Sequence, residues 1–382
     1  MERINILIAS DSFKGSLTSM EVANSMEKGF LKSYKNINVV KLPVADGGEG
    51  TVSAVTTAME GTLKTYEVED VFGNPIKASL GIINDGSIII ETASPLGLDK
   101  LKNEELNPMI ASSYGLGEMI LHALELGAKK IYIGLGGSAV NDGGTGLATA
   151  LGAKLLDKYN KPIKPGAIGL KDLKSIDISN LDQRLKDTEI FLLSDVTNPL
   201  CGKEGATYIY GPQKGIRLED LENIDSWMYN YGKLLESTFN IDILNEEGSG
   251  AAGGLGACLK AFGDAKMSSG IEKILEMIKM EDILKNIDLV FTGEGRMDGQ
   301  SVFGKAPIGV AKLAKKYNLP VVAIVGSYDK TVVDVYDEGV DLVLDIVNEP
   351  MDLEKAIKNA SELVELQGYT ALKHYLIWKN LL

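Results

Sequence analysis

Short apolar runs rich in β-branched residues alternate with amphipathic segments at both ends of the chain, and this alternation constrains the fold most. Residues 4–42 contain a strand, a helix and a strand in that order. The alternation returns near the C-terminus, with predicted strands at residues 287–292, 320–325 and 341–347. Strands joined by crossover helices form parallel sheets. Right-handed crossovers then predict one five-stranded parallel sheet of order 2-1-3-4-5, built from both ends of the chain.

The middle of the chain has a different pattern. Three short apolar runs, at residues 62–72, 76–83 and 87–92, are separated by the turn-forming sequences GNP and DG. These runs predict an antiparallel meander. Helices are predicted, among others, at residues 108–126, 331–338 and 353–367.

Together the two patterns predict an α/β protein with two domains. A discontinuous flavodoxin-like (Rossmann-like) parallel-sheet domain takes residues 1–61 and 281–382. A second, mixed α/β domain is inserted at residues 62–280. We expect a substrate cleft where the loops of the two domains meet, since closure there would exclude water.

Composition narrows the possible partners. The chain carries a formal net charge of −14 over 382 residues, and such a surplus repels the phosphate backbone of nucleic acids. No apolar stretch approaches the ~20 residues that span a bilayer, and the N-terminal run lacks a cleavage pattern. We therefore expect a cytoplasmic protein without nucleic-acid or membrane partners, either a monomer or a homodimer.

Cysteine and histidine are scarce. Cys201 and Cys258 are too few for a disulfide framework or a four-thiolate metal site. His122 and His374 lie away from the glycine-rich loops, and we expect both to be structural. Any proton transfer then falls to a carboxylate or a lysine.

Glycines, 42 in number, cluster beside acidic residues after predicted strands. The motif DGGxG occurs at Asp46–Gly50 and again at Asp142–Gly146. Glycines there let backbone amides and a helix N-terminus approach an anion, and the leading acid suits Mg²⁺ bound with nucleotide phosphates. The alternative is that both aspartates cap helices and the glycines only turn the chain. Residues 134–141, GLGGSAVN, directly precede the second DGGxG motif. They favour a phosphate-binding loop over a dinucleotide-binding fingerprint.

A third loop, residues 292–307, reads TGEGRMDGQSVFGKAP and lies between a predicted strand and a helix. Its charged residues are Glu294, Arg296, Asp298 and Lys305. They offer two cations for phosphate or carboxylate oxygens and two acids for a metal or a proton, although solvated charge on a loop is the alternative. Residues 299–305 match the front of a Walker A loop but lack its hydroxyl residue, so we interpret that match as a coincidence.

Two more loops follow predicted strands. Residues 10–16, SDSFKGS, follow the first strand, and open parallel sheets bind ligands at this edge. Residues 194–199, SDVTNP, follow the strand predicted at 190–194. Asp195 there is a candidate general base or magnesium ligand. The alternative is that Asp195 only forms a turn.

Taken together, these motifs resemble those of the type I glycerate kinase family. The matching stretches are DSFKGSL (11–17), VADGGEGT (44–51), GLGGSAVNDGGTGLA (134–148), DVTNPLCG (195–202), GPQKG (211–215), GAAGGLGA (250–257) and TGEGRMDGQSVFGKAPIGVA (292–311). They follow the family's order over nearly the whole chain. The resemblance implies an ATP-dependent kinase acting on D-glycerate with Mg²⁺, and a flavodoxin-like domain interrupted by a second α/β domain. Bacterial members typically phosphorylate the 2-hydroxyl, giving 2-phosphoglycerate.

Phosphoryl-transfer chemistry then suggests a role for each loop residue. Asp195 is the first choice, and Asp46 the second, for accepting the substrate hydroxyl proton, while Lys14 and Lys305 would neutralise phosphate or carboxylate oxygens. Asp298 and Asp142 are the expected magnesium ligands. Expected substrate or phosphate contacts are Ser12, Gly136, Gly137, Ser138, Asn141, Gly293, Glu294 and Arg296.

Two other functions fit the same residues. A kinase for another small hydroxy acid would use the same phosphate machinery with a different pocket. A sensor of small organic acids would keep the site without turnover, but it should carry an output module. No DNA-binding helix pair or basic patch is evident in the sequence.

Overall fold

The computed structural model describes residues 3–299, 301–302 and 305–381. Its strands are β1 (Ile4–Ile8), β2 (Ile37–Lys41), β3 (Thr62–Glu69), β4 (Pro75–Ile82), β5 (Ile88–Glu91), β6 (Lys130–Gly134), β7 (Lys154–Leu156), β8 (Ser175–Asp177), β9 (Glu189–Leu193), β10 (Lys266–Ser268), β11 (Leu289–Thr292), β12 (Arg296–Met297), β13 (Val321–Val325), β14 (Ser327–Tyr328) and β15 (Leu342–Asp345). Its α-helices are α1 (Ser19–Ser33), α2 (Thr51–Ala58), α3 (Ala93–Leu96), α4 (Tyr114–Glu125), α5 (Thr145–Ala150), α6 (Ala167–Leu170), α7 (Ala206–Tyr210), α8 (Leu221–Phe239), α9 (Ala251–Gly263), α10 (Gly270–Met277), α11 (Met280–Leu284), α12 (Ala306–Lys315), α13 (Leu353–Lys358) and α14 (Ala360–Trp378).

The chain divides into two compact units. Unit 1 contains residues 1–46, 53–59 and 270–382, and unit 2 contains residues 47–52 and 60–269. No helix within the described residues is both long enough and apolar enough to span a membrane.

Unit 1 is built on a five-stranded sheet of order β15-β13-β11-β1-β2. All its pairs are parallel, with Ile6 opposite both Val39 and Leu289. This is the predicted order 2-1-3-4-5, so the predicted sheet is confirmed. The buried strands β1, β11 and β13 explain the near-continuous apolar runs, because both faces of a parallel sheet are covered by helices.

Helices α1 and α14 pack against each other in unit 1. A capping box between Thr18 and Glu21 starts α1, satisfying backbone donors that a helix start leaves free. Gly29 permits the close approach, since a Cβ there would lie 2.1 Å from the backbone oxygen of Glu365. Phe30 reaches the sheet, where its ring lies 4.5 Å from that of Phe291.

Unit 2 contains a six-stranded mixed sheet of order β10-β9-β6-β5-β4-β3. Strands β3, β4 and β5 pair antiparallel, which confirms the predicted meander. Strands β5, β6, β9 and β10 pair parallel, so their carboxyl ends share one edge of the sheet.

Three predicted helices differ from the structure. The helix predicted at 108–126 begins only at Tyr114, because the preceding Ser113 is fixed by Asp142 instead. Residues 330–335 form a 3₁₀-helix rather than an α-helix, started by the carboxylate of Asp329 on the amide of Thr331. The helix predicted at 353–367 is two helices broken at Asn359, and α14 continues to Trp378 because its residues Leu372 and Leu376 are buried.

Candidate active site

Three carboxylates of unit 1 interact electrostatically at the carboxyl edge of its sheet. Asp11 follows β1, Asp46 follows β2 and Glu294 follows β11. Burial, and then the negative charge of Asp46, raises the pKa of Asp11 to about 8, with a smaller contribution from Glu294. Burial also raises the pKa of Glu294, although Lys305 opposes the rise. Burial and crowding therefore disfavour the charged forms of these carboxylates, and a bound cation would stabilise those charged forms.

Lys305 lies beside Glu294 at this edge. Its Nζ is 3.1 Å from Oε2 of Glu294 and 3.1 Å from Oγ of Ser301. The other carboxylate oxygen of Glu294 is buried and accepts no hydrogen bond from the described residues. Glu294 and Lys305, two of the charged residues singled out in this loop, therefore form an ion pair, and Lys305 is half-buried. Residues 300, 303 and 304 of the Walker-like segment lie outside the described residues.

Arg296 and Asp298 form a different, more exposed pair. Nε of Arg296 is 3.6 Å from Asp298, and its terminal nitrogen is 3.5 Å from Asp329. The side chain of Arg296 is 67 % exposed, so neither ion pair is strong. Asp298 thus already faces a cation of the protein.

The remaining predicted residues of unit 1 hold the loops after β1 and β11 together. The backbone oxygen of Gly293 accepts bonds from the Asp11 amide and the Ser10 hydroxyl. Gly293 is required there, since a Cβ would lie 2.0 Å from the oxygen of Ile324. The amide of Ser12 donates to the carboxylate of Asp11 at 2.6 Å, and Lys14 is exposed.

In unit 2 the second DGGxG motif is part of the core. The carboxylate of Asp142 accepts bonds from the amide and hydroxyl of Ser113, at 2.9 and 2.8 Å. It also accepts from the amides of Gly144 and Gly146, at 3.0 and 3.2 Å. A Cβ at Gly144 would lie 2.4 Å from Cβ of Cys258. These contacts agree with the alternative in which Asp142 caps a helix. They also leave no space beside the glycines of this motif for an anion.

The preceding loop, residues 134–138, lies close to Gly47 and Gly48 in unit 2. The amide of Gly136 donates to the oxygen of Gly47, and a Cβ at Gly136 would lie 2.6 Å from Cα of Gly48. Gly137 is exposed and has a φ of +73°, a conformation that favours glycine. Asn141 is fully buried: its amide group donates to Thr207 at 3.1 Å, and its oxygen accepts no bond from the described residues.

Asp195 lies two residues past the end of β9 and is exposed. The structure therefore brings together Glu294, Lys305 and Asp46 in unit 1. It brings together Gly136, Gly137 and Ser138 in unit 2.

The sequence predictions missed two residues. Asp11 lies three residues past the end of β1, and its position after a predicted strand is the signal that could have indicated it. Lys214 lies in the stretch GPQKG and is only 3 % exposed. Its Nζ donates to the oxygen of Val140 at 2.7 Å and to Oγ of Ser138 at 3.3 Å. No signal in the sequence marks Lys214 as buried.

Metal ligands are not preassembled in sets of three. Within the described residues, no group of three or more histidine, cysteine or acidic side chains has the geometry to hold a metal ion. Magnesium commonly needs only one or two carboxylates when it arrives with phosphates.

Lysines and carboxylates at the carboxyl ends of parallel strands define the class of protein, an α/β enzyme whose site suits phosphoryl transfer. Comparisons with known proteins give the family. The family model described as "Glycerate kinase family" matches residues 6–375. The chain belongs to the glycerate kinase family.

Relatives and a solved structure agree with this assignment. Glycerate 2-kinase of Escherichia coli (strain K12) is 44 % identical over 358 residues, 94 % of each chain. Glycerate kinase of Bacillus subtilis (strain 168) is 42 % identical over 363 residues, 95 % of each chain. A crystal structure described as a glycerate kinase 2 from Salmonella typhimurium LT2 superposes with a TM-score of 0.87 at 43 % identity, covering all of both chains. The predicted family, the α/β fold class and the kinase activity are thereby confirmed.

Proposed function

We propose that this chain transfers the γ-phosphoryl group of ATP to the 2-hydroxyl of D-glycerate, giving 2-phosphoglycerate and ADP. The observation that carries the proposal is the position of Lys305 between Glu294 and Ser301, at the edge that also holds Asp11 and Asp46. Phosphoryl transfer needs a cation for the phosphoryl oxygens and acids for a metal ion, and this edge supplies both. The name of the Escherichia coli relative supports the 2-hydroxyl as acceptor.

Lys305 is the proposed cation for the transferred phosphoryl group. Its bonds to Glu294 and Ser301 hold the ammonium in one place. A donor fixed in advance stabilises developing charge without reorganising during the reaction. Arg296 and the exposed Lys14 are proposed to contact the outer phosphates.

The nucleotide base is proposed to bind in an apolar groove of unit 1. The groove has a volume of about 390 Å³, and its lining includes Phe13, Lys14, Ile346 and Ala356. It lies past the carboxyl ends of the strands, where open parallel sheets bind nucleotides. Ala356→Trp would fill the groove, and we expect a KM for ATP at least tenfold higher with an unchanged KM for glycerate. An unchanged KM for ATP would place the base elsewhere.

Asp11 and Asp46 are the proposed magnesium ligands. The raised pKa of Asp11 shows that burial and its acidic neighbours disfavour its charge, a cost that a cation would remove. When bound with ATP, Mg²⁺ neutralises phosphate charge. Asp142 is instead proposed to hold the loop of residues 142–146, because its carboxylate already accepts four hydrogen bonds. Asp298 is proposed to orient Arg296.

Asp195 remains the proposed acceptor of the substrate hydroxyl proton. It is an exposed carboxylate at a strand end of unit 2, and it needs only to lie within hydrogen-bond reach of the hydroxyl in the bound complex. Gly136, Gly137 and Ser138 are proposed to bind the substrate anion.

We also propose that units 1 and 2 correspond to a discontinuous domain and a domain inserted in it, in a cytoplasmic monomer or homodimer. Light scattering during size-exclusion chromatography measures the mass directly. A mass well above two copies of 41.0 kDa would contradict this part of the proposal.

The test of the reaction is ADP release from purified protein with Mg-ATP and D-glycerate, with the product assigned by ³¹P NMR. We expect turnover that depends on glycerate, and a single product carrying phosphate at the 2-position. Turnover only with other hydroxy acids would discard glycerate as the substrate and keep the phosphate chemistry. No ADP release with any hydroxy acid would favour a sensor of small organic acids.

A further inference from the structure

Lys214 is a buried cation whose two hydrogen-bond acceptors are neutral oxygens. It ends the 3₁₀-helix Pro212–Lys214, and only 3 % of the residue is exposed. The oxygens of Val140 and Ser138 accept two of its three protons. No ion pair within the described residues includes Lys214, although the more distant charge of Asp142 acts on it.

An ammonium in such surroundings destabilises the fold. Burial lowers the pKa of Lys214 to about 7, and Asp142 opposes the shift only in part. A methionine of similar length would fill the same space without a charge to desolvate. The lysine is therefore best explained by an anion that reaches it from outside the fold.

A small cavity leads to Lys214. Its volume is about 150 Å³, and its lining includes Lys214, Gly136, Gly137, Ser138 and Tyr210. The cavity thus joins the glycines at the carboxyl end of β6 to the buried ammonium. Ala252, which also lines it, has a φ of +52°. Backbone strain of this kind is concentrated at ligand sites.

We propose that Lys214 binds the carboxylate of the three-carbon hydroxy acid in this cavity and thereby selects an acid over an uncharged alcohol as phosphoryl acceptor. This inference rests on the proposed function of the chain as a glycerate kinase. The cavity is large enough for a three-carbon acid but too small for a nucleotide. One lysine also balances the single charge of a carboxylate and would leave a phosphate mostly uncompensated.

Steady-state kinetics of the full chain test this assignment. Lys214→Met removes the charge and keeps the length, and Lys203→Met is the control, since Lys203 is exposed in the same unit. We expect Lys214→Met to raise the KM for D-glycerate about 100-fold, a usual effect of removing one partner of a buried charge pair. The KM for ATP should stay within threefold, and the control should match the wild type.

Three results would overturn the assignment. A KM for glycerate within threefold of wild type would show that Lys214 does not bind the substrate. A rise confined to the KM for ATP would make the cavity a phosphate site. Equal losses with glycerate and with uncharged glyceramide would show a structural role. Failure of the wild type to phosphorylate glycerate would instead refute the proposed function.

Calorimetry of the wild type keeps the proposal testable if Lys214→Met does not fold. Glycerate binding at pH 8 should take up close to one proton per site, because the carboxylate converts a largely neutral Lys214 to its ammonium form. The charge of Asp142 already favours that form, while Tyr210, the other ionisable group lining the cavity, has a raised pKa and stays neutral at pH 8. Binding without proton uptake at pH 8 would contradict the inference.

Discussion

Asp142 offers a sharp test, because the structure gives it a different role from the one that its sequence motif suggests. Its carboxylate accepts four bonds from three residues, Ser113, Gly144 and Gly146, all buried. Asp142→Ala leaves these donors unpaired. At about 1 kcal/mol for each buried donor, the lower end of the usual range, unfolding becomes easier by ~4 kcal/mol.

Thermal unfolding measures this loss. For a unit of this size, ~4 kcal/mol corresponds to a fall in Tm of about 8–16 °C. Asp142→Asn should lose less, about 1–2 kcal/mol, because its one oxygen can still face the three donors that Oδ2 serves. Asp172→Asn, an exposed aspartate of the same unit, is the control and should change Tm by less than about 2 °C.

The alternative role makes the opposite prediction. If Asp142 held magnesium, Asp142→Asn would raise the magnesium requirement while leaving Tm unchanged. A wild-type Tm for Asp142→Ala, combined with a raised magnesium requirement, would refute the structural reasoning.

Three further outcomes are expected. Lys305→Ala should lower kcat about 100-fold, as for loss of one charge-stabilising donor, and should also lower the Tm, because the buried Glu294 carboxylate loses its ion pair; a kcat loss below tenfold would remove Lys305 from the reaction. Asp46→Asn should raise the Mg²⁺ concentration for half-maximal rate at least tenfold, and an unchanged magnesium titration would exclude it as a ligand. Lys214→Met should raise Tm more at pH 6 than at pH 9, because the pKa of Lys214, about 7 when folded and 10.5 when unfolded, makes its burial destabilising below pH 7 and progressively less so above. Equal Tm changes at both pH values would contradict the low pKa.

The sequence predicted the parallel sheet of unit 1 because strand and helix alternation is a local signal and crossover handedness then fixes the strand order. The ends of helices were less predictable. Nothing local separates α13 from α14 at Asn359, whereas the burial of Leu372 and Leu376 extends α14 past its predicted end.

For the candidate site, the sequence could indicate only those neighbours that lie within one loop. Glu294 and Lys305 fall in one stretch, and the structure pairs them. The position of Asp11 after a predicted strand makes it a candidate, but its raised pKa comes first from burial and then from Asp46 and Glu294, which its loop alone does not show. For the second DGGxG motif, the sequence left both a ligand loop and a helix cap open, because it does not show that Tyr231 and Cys258 occupy the space beside Gly143 and Gly144.

The order of the strands in unit 1 also determines when this protein can finish folding during its synthesis. Strand β1 is an interior strand of the sheet and pairs with both β2 and β11. After β2 ends at Lys41, the ribosome must add roughly 250 residues before Leu289 begins β11, which takes about 12–50 s at the usual 5–20 residues per second. During that interval the nascent chain carries an open, apolar strand edge at β1 while the segment that becomes unit 2 is still being synthesised. Translation speed and chaperone supply should therefore limit the yield of this protein more than they limit proteins whose sheets close in chain order.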